Sequence, residues 1–196
     1  MQRLVFDKHG RARKILGLPP FLAFLLAVLV FAGILLLTRY WLRFYAVNTV
    51  LLQNENWNDD GVLMQSNRFT CVPASLVMLL KDSGIRTTML EITEMSGTNT
   101  EGTDPDDIIG IGRHFGFDVR KQMLDVDGLM RADLPAIVTF TWENSLHAVY
   151  VKPDHRNGWL IVKDPSMGLL HVNNENALEY FGSDKVDAYL FDRQPS

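Results

Sequence analysis

The sequence predicts an α+β domain preceded by one membrane-spanning helix, and three observations lead there. Ile15–Thr38 is an apolar run without a charge, three helical patterns cluster between Pro73 and Phe117, and five short runs rich in β-branched and aromatic residues fill Ala136–Phe191. Helices followed by an antiparallel succession of strands mark an α+β domain. The formal net charge of -4 argues against binding nucleic acid through charge, and a hydrophobic content of 47% argues against a disordered chain.

The N-terminal run comes first. "ILGLPPFLAFLLAVLVFAGILLLT", Ile15–Thr38, is 24 residues long. As a helix it reaches about 36 Å, enough to cross a bilayer. A secretory signal peptide is the rival reading, but the run exceeds an h-region of roughly 7 to 15 residues, and the following "RYWLRFY" offers no small-residue cleavage site. Arg39 and Arg43 with Tyr40, Trp41 and Tyr45 have the make-up of an interfacial girdle. Arg3, Lys8, Arg11, Arg13 and Lys14 precede the run, so the excess of positive charge predicts a cytoplasmic N-terminus with the remaining ~150 residues on the other side. The expected divisions are a basic cytoplasmic tail at 1–14, an anchor at 15–38, an interfacial and linker segment at 39–62 containing "QNENWNDDG", and a domain at 63–196.

Leu63–Phe191 is about 130 residues, the size of one domain with its own core. Pro73–Ser83 has Leu76, Val77, Leu79 and Leu80 at helical spacing and stops at Gly84, which predicts a helix closed by a glycine. "TTMLEITEMSG" predicts a second, shorter helix. In "GTDPDDIIGIGRHFGF", Thr103 or Asp104 can cap, Pro105 suits the first turn, and Ile108, Ile111 and Phe115 share a face. The predicted strands are "AIVTFT" (Ala136–Thr141), "HAVYVK" (His147–Lys152), "WLIVKD" (Trp159–Asp164), "LLHV" (Leu169–Val172) and "AYLF" (Ala188–Phe191). "PDHRNG" and "DPSMG" supply turn chemistry between them.

Cys71 is the only cysteine, so it has no partner for an intramolecular disulfide. That agrees with an oxidising compartment, where stray thiols are a hazard, and equally with the cytosol. On residue type alone, a lone cysteine beside an apolar helix is a small buried hydrophobe. Its position favours chemistry instead. A thiol in the first turn of a helix faces the positive end of the dipole and unpaired backbone N–H groups, which favours a nucleophilic thiolate and can hold an oxyanion. His147 opens a strand downstream, Asp164 ends the next, and adjacent antiparallel strands bring such side chains within hydrogen-bond reach. Gln65, six residues before Cys71, can donate its side-chain amide to the oxyanion. Nucleophile, base, orienting acid and oxyanion donor are thus all available as Cys71, His147, Asp164 and Gln65.

The other chemistry-bearing residues read as structural. His9 lies in the basic tail, His114 near a helix end, His155 in a turn and His171 in a short strand, none with the spacing of a zinc site. "DPDD" is a helix start without the twelve-residue acidic pattern of a calcium loop, and "GIGRHFG" begins inside a helix rather than after a strand, against a dinucleotide fingerprint. No cofactor or metal is expected.

Together these segments resemble the bacteriocin-processing, double-glycine leader peptidases, a papain-like group of cysteine peptidases with stand-alone relatives. The likeness lies in Gln65 six positions before Cys71 and in the small and apolar "VPASLVMLL" that follows it. It continues in "GTDPDDIIGIGRHFGF", "LPAIVTF", "HAVYV", "VKDPSMG" and the closing "NNENALEYF", spanning about residues 63 to 192. The resemblance implies a papain-like fold with Cys71 as nucleophile, His147 as general base, Asp164 as orienting acid and Gln65 as oxyanion donor. One departure stands out: many members read aspartate–cysteine–glycine at the nucleophile, where this chain has Thr70, Cys71 and Val72. The Val72 side chain fills space that glycine leaves open, so either the substrate approaches differently or the preference for a double-glycine site is weakened.

The expected function is therefore a single-pass cysteine peptidase of the bacterial cytoplasmic (inner) membrane, with its catalytic domain on the outer side. It is expected to cleave a leader or precursor peptide by acyl transfer to Cys71. The resemblance further implies an exporter or membrane-complex partner serving export or surface assembly. Two alternatives remain open at this point, a peptidoglycan peptide hydrolase with a similar Cys/His constellation and a non-catalytic peptide-binding scaffold.

Overall fold

The computed structural model describes residues 4–6, 12–14, 19–51, 55–154 and 158–193, and the chain divides into two units, Met1–Trp41 and Leu42–Ser196. Arg3, Lys8, His9, Arg11, Ile15–Leu18, Gln53 and His155 lie outside the described residues. In the first unit, strands β1 (Leu4–Phe6) and β2 (Ala12–Lys14) pair antiparallel where the sequence suggests only a basic tail. Helix α1 (Pro20–Leu51) follows.

Helix α1 starts five residues later than the apolar run and ends thirteen residues beyond it. Pro20 opens it, a position where a missing N–H is harmless. It continues through Arg39 and Arg43 because neither arginine disfavours helix and no glycine or proline follows before Leu51. Its uncharged stretch, Pro20–Thr38, reaches about 28 Å, close to the thickness of a bilayer core. Large apolar side chains along it are exposed, among them Phe21, Phe24, Phe31 and Leu36. This is one helix near the N-terminus long and apolar enough to cross a membrane.

The second unit opens inside what the sequence suggests is a linker. Helix α1 runs on to Leu51, and β3 (Asn56–Trp57) then forms a small hairpin with β4 (Leu63–Met64). The polar letters of "QNENWNDDG" conceal specific contacts. Glu55 Oε1 accepts from the Met89 N–H at 2.8 Å, Lys81 Nζ stands 3.4 Å over the Trp57 ring, and Asn58 Oδ1 accepts from the Val62 N–H at 2.8 Å. A fragment beginning at Leu63 is therefore expected to be less stable than one beginning at Glu55 by about 1–3 kcal/mol, from the lost cation–π contact and helix-terminal hydrogen bond. Urea unfolding of the two fragments measures this, and equal midpoints would show that the hairpin contributes nothing.

Helices α2 (Cys71–Asp82), α3 (Met89–Met95) and α4 (Asp107–His114) come next. As expected, α2 stops at a glycine: Gly84 has φ +79°, and the following Ile85 N–H returns to Leu80 O at 2.8 Å. Helix α2 begins two residues earlier than its apolar spacing suggests, so Cys71 is its first residue. Thr88 caps α3 by accepting from the Glu91 N–H. In α4 the expected caps are displaced: Asp104 accepts from the Asp106 N–H, while Thr103 joins a chain of hydroxyls with Thr98 and Ser96.

Six strands form one antiparallel sheet in the order β5 (Phe117–Asp125), β10 (Lys185–Arg193), β6 (Ala136–Trp142), β7 (Ser145–Pro153), β8 (Trp159–Asp164), β9 (Gly168–Asn173). Two further helices, α5 (Val126–Arg131) and α6 (Asn174–Phe181), complete the domain. The alternation of β7 divides the core between the two faces of the sheet. Ala148 and Tyr150 pack with α2, α3 and α4, whereas Val149 and Val151 pack with residues of α5 and α6 such as Leu129, Ala177 and Phe181. The sheet is thus covered on both sides.

One glycine sets how closely α4 meets that sheet. A Cβ at Gly112 would come within 2.3 Å of Val119 Cγ2 and 2.7 Å of Phe191 Cε1. Gly112→Ala is expected to destabilise the domain by about 1–3 kcal/mol through overpacking, despite alanine's better helix propensity. Thermal unfolding reads it, and an unchanged midpoint would mean that the helix shifts freely.

Candidate active site

Cys71 is 7% exposed at the start of α2. The residue before it, Thr70, is fully buried and spends both N–H and Oγ1 on the Asn67 carbonyl, at 3.1 and 2.9 Å. No side chain caps the helix. The first helical bond is Ala74 N–H to Thr70 O, and Pro73 has no N–H, so the amides left at the positive end of α2 are those of Cys71 and Val72. Farther along, Ser75 Oγ donates to Ala148 O at 3.1 Å, tying α2 to the strand residue beside His147.

His147 and Asp164 meet as the alternation of β7 and β8 suggests. The register pairs Tyr150 with Lys163, which puts His147 and Asp164 on one face of the two strands. His147 Nε2 and Asp164 Oδ1 are 2.9 Å apart, both buried. The same imidazole and the Cys71 thiol line one cleft, and the thiol acts on the His147 pKa. Burial alone lowers the His147 pKa, but the bond to Asp164, the interaction with Cys71 and the charges of both outweigh it and push the value up to about 9. Phe140, opposite His147 in the β6–β7 hairpin, meets its ring edge-on at 5.6 Å, and Trp142 lies 5.1 Å away.

Asp164 has no exposed surface, and burial works to raise its pKa. Its partners reverse that and hold it below the ordinary carboxylate range: His147, the Tyr180 hydroxyl, and the Ser166 N–H. Oδ1 accepts from His147 and from the amides of Ser166 at 2.7 Å and Met167 at 3.3 Å, while Oδ2 accepts from Tyr180 Oη at 2.5 Å. Tyr180, on α6, is the member of this cluster that sequence reasoning misses. Its one signal is a tyrosine beside buried Phe181 in the closing helix, where a phenol needs a polar partner.

Gln65 lies just after β4, and its backbone N–H donates to Pro165 O at 2.8 Å, which fixes it beside the turn that follows Asp164. Its Oε1 is buried without a hydrogen-bond partner among the described residues. Of the four candidates, His147 and Asp164 are therefore joined by a hydrogen bond, Cys71 shares a cleft with His147, and Gln65 is tied to the residue next to Asp164.

A cleft of about 460 Å³ opens over Cys71 and His147. Val72 and Ala148 also line it, with the loop Thr100–Thr103 on one side and the β6–β7 turn on the other. That turn has Glu143 and Asn144 at φ +47° and +65°, the left-handed pair a two-residue hairpin loop requires. Glutamate pays for this conformation with local strain, here at the rim of the cleft. The arrangement can generate a thiolate beside an imidazolium and offer amide donors to a developing oxyanion.

Residues 60–183 match the model of the peptidase C39 family. The chain is 27% identical over 127 residues to an uncharacterized protein of Methanothermobacter thermautotrophicus, covering 64% of this chain and 86% of that protein. It is 26% identical over 117 residues to one of Methanothermobacter marburgensis, covering 60% and 80%. Among solved structures, a double glycine motif protease from an AMS/PCAT transporter, in complex with its leader peptide, superposes with a TM-score of 0.58 at 19% identity, covering 68% of this chain and 91% of that one. The peptidase domain of Streptococcus ComA, a bifunctional ABC transporter of a quorum-sensing pathway, gives 0.54 at 22% identity, covering 67% and 96%. Both share the α+β fold described above.

Proposed function

Because this chain belongs to the peptidase C39 family, whose members are cysteine peptidases, we propose that it cleaves a leader or precursor peptide by acyl transfer to Cys71. The observation that carries the proposal is the imidazole of His147, bonded to buried Asp164 and lining one cleft with the thiol at the start of α2. The thiolate attacks the peptide carbonyl carbon, and the resulting oxyanion is held by the Cys71 N–H and the Gln65 side-chain amide. His147 then gives its proton to the leaving nitrogen as the C–N bond breaks. Water attacks the thioester, His147 takes one of its protons, and the C–S bond breaks to release the carboxyl product and restore the thiol.

Residues Pro20–Thr49 form the segment apolar enough to span a membrane. With the basic residues before it, that segment supports a single-pass anchor with a cytoplasmic N-terminus and the peptidase on the other side. A leader-bearing precursor is the substrate best supported, because the transporter peptidase domain of like fold is one solved with a leader peptide. An exporter or surface-assembly complex is the matching partner. The test is mass spectrometry of membrane and secreted peptides from cells carrying the natural chain or Cys71→Ala. A precursor whose N-terminus is shortened only by the natural chain names substrate and bond; identical N-termini in both would overturn the reading.

The pH profile follows from the His147 value. With a pKa of about 9, the imidazolium persists through neutral pH, and kcat/KM is expected to fall only as pH rises through about 9, an apparent value that belongs to the Cys71–His147 pair. Asp164→Asn removes a group that raises that value, so the alkaline limb is expected to move to lower pH. Because an asparagine can still accept from the imidazole and from the Ser166 N–H, residual activity is expected. An alkaline limb that stays in place would remove Asp164 from this role.

A further inference from the structure

Resting on the peptidase reading above, we propose that a second cavity, on the far side of His147, receives an apolar side chain from the leaving half of the substrate. This cavity has a volume of about 370 Å³, and its walls are Phe140, Trp142, Met167, Leu170, Val172 and Tyr180. The polar lining consists of Asp164, Asn176, Glu179 and His171. Both Asp164 oxygens are already taken by His147, two amides and Tyr180, and His171 pairs with Asp154 at 2.9 Å. The volume is that of a site for one or two side chains, and its surface is mainly apolar.

Its place relative to the chemistry identifies the occupant. Cys71 and His147 line the cleft over the thiol and are absent from the second cavity, while Phe140 and Trp142, the two rings against His147, line the second cavity and not the cleft. The two spaces therefore abut across the imidazole. During acylation the part of the substrate bonded to Cys71 Sγ stays in the cleft that holds Cys71. The departing nitrogen must lie at His147, which protonates it, so the chain leaving with that nitrogen continues past the imidazole, over Trp142 and Met167. Met167 is 54% exposed and Trp142 37% exposed, apolar surface available to a peptide. Met167 is also held in place, its N–H on Asp164 Oδ1.

The experiment incubates the full chain, in detergent, with a library of proteome-derived peptides and identifies by mass spectrometry the residues after each cleaved bond. Leu, Ile, Met or Phe within the first two positions after the bond is expected to be favoured over Asp or Glu by about 10- to 100-fold, the discrimination an apolar pocket with the Glu179 carboxylate in its wall gives against a negative charge. Met167→Glu and Leu170→Glu are expected to turn the preference toward Lys and Arg by roughly tenfold or more. The readout is a ratio between peptides in one mixture, so a variant that is partly unfolded still reports it. Cleavage indifferent to the residues after the bond, or a preference that neither substitution moves, overturns the inference while leaving the peptidase reading intact. Absence of all cleavage removes it as well. In that case loss of His147-dependent labelling of Cys71 by iodoacetamide takes the peptidase reading down too, and retained labelling spares it.

Discussion

Cys71→Ala and His147→Ala are each expected to abolish measurable peptide cleavage, a loss on the order of 10⁴- to 10⁶-fold, and the double variant is expected to be little worse than either. The non-additivity is the informative part. With the thiol gone, nothing attacks the peptide carbonyl and His147 has no acyl group to release; with the imidazole gone, the thiol loses its base and the leaving amine its proton donor. Each single change therefore removes the same pathway. Cys71→Ala deletes one atom at a site 7% exposed, so the variant should keep its fold and unfold at nearly the natural temperature. Full turnover by folded Cys71→Ala protein would end the proposal, and additive losses would mean that the two residues act in separate steps.

Gln65→Ala is the next largest effect, expected to lower kcat by roughly 10²- to 10³-fold, the usual cost of one oxyanion donor. KM should change little, because the donor is needed where charge develops and not where substrate first binds. Stability should also change little. Gln65 is fixed through its backbone N–H to Pro165 O, which alanine retains, and its Oε1 has no partner to lose. An acceptor buried without a partner costs about 1–3 kcal/mol, so alanine here removes a burden along with a side chain. A loss of kcat that tracks a loss of melting temperature would assign Gln65 to the fold instead.

How much of this was legible in the letters depended on the kind of signal. The β6–β8 run was readable because its residues alternate between two buried faces with few interruptions, and the end of α2 because Gly84 closes it. Strand β5 was not readable: after Phe117 and Val119 its side chains include Arg120, Lys121 and Gln122 in succession, since only the start of this edge strand faces the core. Helix α5 is a single short turn and a half whose cap, Asp125 accepting from the Gly128 N–H, resembles any polar loop. Around the candidate site, Cys71, His147, Asp164 and Gln65 were singled out because each residue type has a chemistry of its own. Tyr180 offered only a phenol in need of a polar partner, and which partner it takes depends on how α6 packs against the end of β8. The contacts of Glu55 and Trp57 were hidden for the same reason, as they join segments distant in the chain.

The single thiol also fixes how this site meets oxidants. A thiolate held beside an imidazolium is the form that peroxide converts to a sulfenic acid, and many proteins recover by closing a disulfide to a neighbouring cysteine. This chain contains no second cysteine to do so. A sulfenic acid at Cys71 must be reduced by a small thiol or a partner protein, or else it advances to the irreversible sulfinic state. Access to the sulfur is through the cleft proposed to admit the peptide, so a bound substrate would shield the sulfur that a vacant cleft leaves open to damage.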